Sequence, residues 1–446
     1  MEVKKNKVVF RWAAIISYVV GFIYIKYMAW SAGICDNDFW QGKYGLRMLI
    51  FAVIFIVCTE LFANLTGVTY QSIKEKKNSV IEPIIYIACI LLQSIGLAFW
   101  NFHDDWEAAQ LFFWHFTIIY YILARTGSLV AGRSGIMFII DCFQGCVVIP
   151  VSNMFLRVVA IFKREDKLDE NGNVIPRKKI SARTVATIAA SSFVALIICL
   201  YAYVQLANAS DTFEDVGTRF FEALNKFFTQ DFWEYITENF VFFLTSIPVS
   251  WFLFCLLGGT LNTDKPYVTD ERIEHETKGF HVLPSYSAYI IIGSVCLLYT
   301  LFLGASINDF INHKGLFAAT AHEASVRAVG SFWSLIRVVL LNFVILAGSC
   351  FFSQKALWDE KATRILATIL FVFALGFAVL AACNLIGVYI MIFGITPRRI
   401  MSSWVVMNVI AWCILLIIRF YKKIPAAQIG IILAAVSFSV VVCFKF

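Results

Sequence analysis

Five ionisable side chains, Glu60, Glu82, His115, Asp141 and Arg337, stand in or beside long apolar runs of this 446-residue chain. A charge held in hydrocarbon is costly, so such residues pair with one another, relay protons or line ion paths, and each is a functional candidate by default. Their positions narrow the set. Glu82 falls in the first turn of its apolar run, where a carboxylate complements the helix dipole. Glu60 and Arg337 are within snorkelling reach of an interface. Glu60 and His115 are the two candidates for a polar pathway. His103, Asp104, Asp105 and Glu107 offer oxygen and nitrogen donors for a divalent cation, but read as an exposed acidic turn. Cys142 and Cys146 have no second pair nearby, and the other cysteines sit mostly one by one in apolar runs as small hydrophobes, so no metal site is expected. Gly258 and Gly259 lack the Lys and Ser/Thr of a phosphate-cradling loop, and neither a zinc-type His-x-x-x-His nor a nucleophile elbow occurs. His275 and His281 read as solvated. No cofactor and no catalytic residue is expected, and an enzyme would need His103, His313 and His322 to converge.

The elements that carry these residues are membrane helices. A composition 60% hydrophobic and 15% charged, with mean hydropathy +0.76, excludes a soluble globular protein, and a net charge of +7 spread over loops is no nucleic-acid footprint. The expected fold class is an all-α integral membrane protein. Residues 163–183 carry seven Lys/Arg in a polar interruption, and short basic loops stay in the cytoplasm. Placing that loop inside orients the rest. Spans are then expected at about 9–30, 46–66, 81–100, 108–127, 185–207, 239–259, 286–308, 330–352, 363–388, 402–420 and 426–445, eleven in all, with the N-terminus cytoplasmic. Arg11 and Lys26 are expected to snorkel. The segment 136–162 holds Asp141, Gln144, Pro150, Asn153 and Arg157, and reads as an interfacial or re-entrant hairpin bent at Pro150. Ala182, Ala186 and Ala190 form a small-residue row. The acidic stretch 208–237, with Asp211 and Glu214 at capping spacing and Phe213, Val216, Phe220, Leu224 and Phe227 on one face, reads as an outer amphipathic helix. Arg398 and Arg399 fall outside in this count, against the charge rule, unless a broken helix near Asn384–Gly387 changes the parity. The chain thus divides into 1–162, 163–183 and 184–446.

Three stretches resemble a family. They are Ala209-Ser210-Asp211-Thr212-Phe213; His322 to Phe332, with Arg327 in it, running into Leu341-Asn342-Phe343; and Val388-Tyr389-Ile390 followed by Gly394-Ile395-Thr396-Pro397-Arg398-Arg399-Ile400. In order and spacing they are similar to an uncharacterised group of bacterial polytopic proteins, the domain of unknown function four-one-seven-three with its relative four-one-five-three, over roughly 180–420. The chain has Arg327-Ala-Val-Gly330-Ser-Phe where that group has Arg-Glu-Gly-Phe, and a proline after its Thr396. The resemblance implies the architecture and a bacterial cytoplasmic membrane; it carries no activity to any residue.

The function expected from these features is a non-catalytic sensor or scaffold that works with a membrane or cytoplasmic protein partner and binds no nucleic acid. The bilayer is its other partner. A transporter or channel for an ion or small solute ranks second, and an intramembrane enzyme a distant third.

Overall fold

A backbone that enters hydrocarbon must satisfy its N–H and C=O groups within the segment, so an apolar run of about 20 residues crosses as a helix. The computed structural model describes residues 6–29, 44–76, 78–103, 106–162, 230–263, 268–281, 284–313, 321–354 and 358–444, with short pieces between 187 and 198, and its regular elements are helices. In chain order they are α1 (Lys7–Tyr24, prolonged by a π-helical turn Ile25–Ala29), α2 (Tyr44–Leu65), α3 (Tyr70–Glu75), α4 (Ile81–Trp100), α5 (Glu107–Thr126) and α6 (Phe138–Phe143). Then come α7 (Ile149–Ser152), α8 (Leu156–Phe162), α9 (Gln230–Asn262), α10 (Asp270–Thr277) and α11 (Ser285–His313). The last are α12 (Ala321–Phe352), α13 (Lys361–Ala382, prolonged by a π-helical stretch Cys383–Ile390), α14 (Met391–Phe393), α15 (Pro397–Tyr421) and α16 (Ala426–Val442).

Seven described helices are long and apolar enough to cross a membrane, eight if the bent pair below counts as one span. The protein is a helical multi-pass membrane protein. Four of the eleven expected spans are not among the seven. The stretch 185–207 lies largely outside the described residues; α5 carries Gln110, His115, Arg125 and other polar groups; Tyr289–Phe302 and α16 are short apolar helices. The basic loop 163–183 and the acidic stretch around Asp211 and Phe213 also lie outside the described residues.

The bend expected at Pro150 is displaced. Phe138–Ser152 and Leu156–Phe162 meet at 43°, so the break falls at Asn153–Phe155. Pro150 is the second residue of α7, inside the single helical stretch Phe138–Ser152, which runs through it without the break. A π-helical turn over Gln144–Val148 precedes it. The break is sealed by side chains. Asn153 Nδ2 donates to the Ile149 carbonyl at 2.8 Å, and Trp251 Nε1 donates to the Met154 carbonyl at 2.7 Å.

Contacts divide the chain into two compact units that interleave in sequence, Met1–Ser72 with Gln144–Lys265, and Ile73–Phe143 with Pro266–Phe446. In the first unit α1 lies along α9. A Cβ on Gly21 would come within 2.8 Å of Ser250 Cβ, so only glycine permits this approach. Polar groups fasten the pair along its length. Tyr18 donates to the Phe243 carbonyl at 3.1 Å, and Arg157 from α8 donates to Ser250 Oγ at 2.7 Å and to the Ala14 carbonyl at 3.3 Å. Lys26, expected to snorkel, instead donates to the buried Asn239 at 2.7 Å. Asn6 caps α1, accepting from Val8 N and Val9 N.

In the second unit one core is built on α13. Ala367, Phe371, Ala374, Ala378 and Ala381 are fully buried at alternating four- and three-residue steps. That small-residue seam lets α11, α12 and α15 pack closely. The other part joins α4, α5 and α16. Gly96 abuts the Val442 carbonyl of α16, which a Cβ would approach to 2.5 Å. Gln93 donates to Ser439 Oγ at 3.0 Å, Trp114 to Ser94 Oγ at 2.9 Å, and Trp100 to the Cys443 carbonyl at 2.9 Å. Trp106 and Phe438 stack beneath them, 6.2 Å between ring centres.

Candidate functional site

At one end of the α4–α5–α16 group the second unit buries two carboxylates. Glu82 sits in the first turn of α4, as the sequence indicates, but it is 1% exposed and its carboxylate is fully engaged. Oε2 accepts from Ser134 N at 2.9 Å and from Ser134 Oγ at 2.5 Å, and Oε1 accepts from Gln428 Nε2 at 2.6 Å. Tyr86, one turn along α4, places its hydroxyl 2.6 Å from Ser134 Oγ. Because the single Ser134 hydroxyl proton points to the carboxylate, Tyr86 is the donor in that pair. The result is a relay, Tyr86 to Ser134 to Glu82.

Asp141, on α6, is the second carboxylate and is fully buried. It accepts from Val130 N at 2.9 Å and from the Tyr120 hydroxyl at 3.3 Å. The Tyr86 and Tyr120 rings meet edge to face at 5.6 Å, and Tyr120 stacks on Phe138 at 5.2 Å. Arg125, in the last turn of α5, is fully buried too, at the helix end whose dipole favours a cation.

Local sequence explains how the cluster is held. α5 stops at Gly127, left-handed with φ +69°, and the Ser128 N–H returns to the Leu123 carbonyl at 2.8 Å, a glycine-terminated cap. Gly132 is left-handed as well, at φ +68°. The Asn78 side chain fits between the two glycines, where a Cβ on either would meet it at 2.4 Å or less. Asn78 Nδ2 donates to the Gly127 carbonyl at 3.2 Å and Ser79 N to the Gly132 carbonyl at 2.9 Å, which lays loop 127–137 over the start of α4. Gln428 arrives from the first turn of α16, 346 residues downstream of Glu82.

The other candidates are placed as follows. Glu60 belongs to the first unit, is half-buried, and accepts from the Tyr70 hydroxyl at 3.0 Å. His115 belongs to the second unit; Nδ1 donates to the Leu111 carbonyl of its own helix at 2.6 Å, and its ring meets Trp114 edge-on. His103 is not solvated, as an exposed acidic turn would require: it is 6% exposed, its N–H donates to Gln110 Oε1 at 3.0 Å, and its ring lies against Trp106. His275 and Arg337 are exposed. Arg327 lies in the first turns of α12. No group of three metal-donor side chains converges among the described residues.

The third sequence motif is one constructed turn. Gly394 adopts φ +78° and ψ −177°, a region open to glycine alone. Arg399 Nη1 donates to the Phe393 and Gly394 carbonyls, both at 2.7 Å, and its guanidinium stacks 4.5 Å from the Tyr389 ring centre. Thr396 precedes Pro397, the first residue of α15, and its carbonyl accepts from Arg399 N and Ile400 N. Tyr389, Gly394, Thr396 and Arg399 therefore meet in space and fix how α13 turns into α15. The π-helical stretch before this turn takes in Asn384–Gly387, where the charge count suggests a broken helix.

What the sequence reading misses is the Glu82 cluster. It discounts Glu82 as a dipole-matched terminal residue. Asp141 in an ambiguous apolar segment, with Gly127 and Gly132 in the loop just before it, is the sequence signal that points to a fixed loop.

No curated protein and no solved structure matches the chain. A family model does, over residues 87–444, a stretch that takes in the three motifs and extends toward the N-terminus through α5 into α4, beginning just after Glu82 and Tyr86. Of the two related groups the motifs resemble, the matching one is four-one-five-three. With well over half of its length covered, the chain belongs to the family described as Domain of unknown function (DUF4153).

Proposed function

We propose that this protein is a non-catalytic sensor or scaffold of the bacterial cytoplasmic membrane, working with a protein partner, and that the Glu82–Asp141 cluster sets its conformational state. The observation behind this reading is that two buried carboxylates hold together a helix start, a loop and a helix from the far end of the chain. Buried ionisable groups in membrane helices are retained for function far more than for stability. Loss of either negative charge weakens bonds to two other elements at once, loop 127–137 and α16 for Glu82, that loop and α5 for Asp141, which is how a local event becomes a change of state.

The orientation proposed has the N-terminus and the 163–183 loop in the cytoplasm. It is supported by the seven Lys/Arg of residues 163–183, since short basic loops stay in the cytoplasm; the contacts of Phe10 with Phe62 and Phe254 bear only on which ends of α1, α2 and α9 share a side.

A second reading, a proton-coupled transporter, is favoured by the Tyr86–Ser134–Glu82 relay, with Glu60 and His115 as further pathway candidates. One comparison separates the two. Purified protein carrying Glu82→Gln is placed in proteoliposomes under a proton gradient, and its crosslinks to co-purifying partners are compared with wild type. The sensor reading expects altered partner crosslinking and no protein-dependent flux in either form. A wild-type flux abolished by Glu82→Gln overturns it in favour of transport.

A further inference from the structure

In the first unit α1, α2 and α9 enclose an apolar groove of about 970 Å³, part of it open to the surroundings, lined by Trp12, Ile16, Phe55, Thr59, Leu65 and Leu257 among others. Its lining on α1 runs from Val8 to Val20, about 18 Å of helical rise, close to the ~15 Å of hydrocarbon in one leaflet. Trp12 is 61% exposed at the groove's end near the chain N-terminus, the position of an interfacial tryptophan. The same end of α1 carries Lys7 and Arg11, and in the sequence Lys4 and Lys5 precede it.

One polar side chain lines this groove without a partner. Helical threonines elsewhere among the described residues return their hydroxyl to a carbonyl three or four residues back, as Thr117 does to Phe113, Thr126 to Ile122, Thr260 to Leu257 and Thr300 to Cys296. Thr59 does not. It is fully buried, and its Oγ1 finds no hydrogen-bond partner among the described residues. A buried hydroxyl left unpaired is unfavourable by roughly 1–3 kcal/mol, so it is poised to take an acceptor from beyond the described residues.

We propose that this groove is a binding site for one anionic diacyl phospholipid of the leaflet that faces the chain's N-terminus. An acyl chain lies along Trp12, Ile16 and Val20, an ester carbonyl accepts from Thr59 Oγ1, and the phosphate faces the basic start of α1. The depths agree. Thr59 is six residues, about 9 Å of rise, below the Leu65 end of α2, and the Phe62 ring is 5.0 Å from Phe10, so Thr59 lies beneath the level of Lys7 and Arg11 as esters lie beneath a phosphate. Generic lipid contact requires neither a groove nor an unpaired buried donor.

The test uses the full-length protein in phosphatidylcholine nanodiscs with a small fraction of phosphatidylglycerol bearing a photoreactive acyl chain, the labelled peptides being mapped by mass spectrometry. Saturable labelling of 12–20 and 55–65 is expected, displaced by unlabelled phosphatidylglycerol and not by phosphatidylcholine. Thr59→Val, isosteric without the hydroxyl, lowers that labelling several-fold, and Ile16→Trp, which fills the groove, abolishes it while labelling of the exposed Ile290 face of α11 is unchanged. Labelling no greater than on α11, or equal displacement by phosphatidylcholine, overturns the proposal. So does a photocrosslinker at position 16 that captures residues 185–207 or a second copy of the chain in place of lipid.

Discussion

Glu82 and Thr59 differ in one respect that decides their roles: each is buried, but both carboxylate oxygens of the first accept hydrogen bonds from protein, and the hydroxyl of the second has no partner among the described residues. Charge-assisted hydrogen bonds contribute roughly 1.5–3 kcal/mol each, and stranded donors are costly, so Glu82→Ala, which leaves Ser134 N and Gln428 Nε2 without their acceptor, should lower thermal stability in detergent clearly more than Glu82→Gln. Equal melting temperatures for the two variants and wild type would show that the carboxylate holds nothing. Arg399 is a second residue whose chemistry is specific. A lysine there cannot both reach two carbonyls and stack on Tyr389, so Arg399→Lys should expose 390–397 to limited proteolysis while the rest of the chain stays resistant. Cleavage no faster than in wild type would remove the clamp role. The sequence shows the motif residues Tyr389, Gly394, Thr396 and Arg399 but not their mutual geometry, because a π-helical stretch and a glycine-only backbone position intervene.

At the scale of elements, close approach of helices rests on a few glycines. Gly96 faces the backbone of α16 and Gly21 the backbone of α9, so Gly96→Val and Gly21→Val must displace a helix. Overpacking of this kind typically destabilises by about 1–3 kcal/mol. Gly293 has nothing within 4 Å of a Cβ, and Gly293→Ala should be neutral or stabilising by up to ~1 kcal/mol. Melting temperatures in one detergent check all three; a Gly96→Val protein as stable as wild type would contradict the packing. Helix existence was legible from apolar run length alone, which is why α1, α2, α4, α13 and α15 fall where expected. The bend in 138–162 was not, because the helix runs through Pro150 without the break, and the actual break depends on Asn153 and Trp251, which are distant in sequence. α5 shows the converse limit: it is a helix where 108–127 is expected to be one, but its polar residues keep it out of the seven helices apolar enough to cross.

For the whole molecule, interleaving of the two units explains what a linear reading loses. Gln428 and Glu82 meet across 346 residues, Glu82 lying just before the stretch that matches the family, and no local pattern announces such a contact. Topology is accessible to labelling. Cysteines placed at positions 172 and 217 should be, respectively, protected from and reactive toward an impermeant reagent applied outside; the opposite pattern would invert the protein.

The measurement to make first is residue-resolved amide hydrogen exchange at Val130 and Ser134, the two backbone groups that donate to the buried carboxylates. Glu82→Gln should speed exchange at Ser134 and in the first turn of α16, and Asp141→Asn should speed it at Val130, with α13 unchanged in both. If both amides exchange at wild-type rates in the two variants, the carboxylates do not govern the state of the loop, and the sensor reading built on them fails.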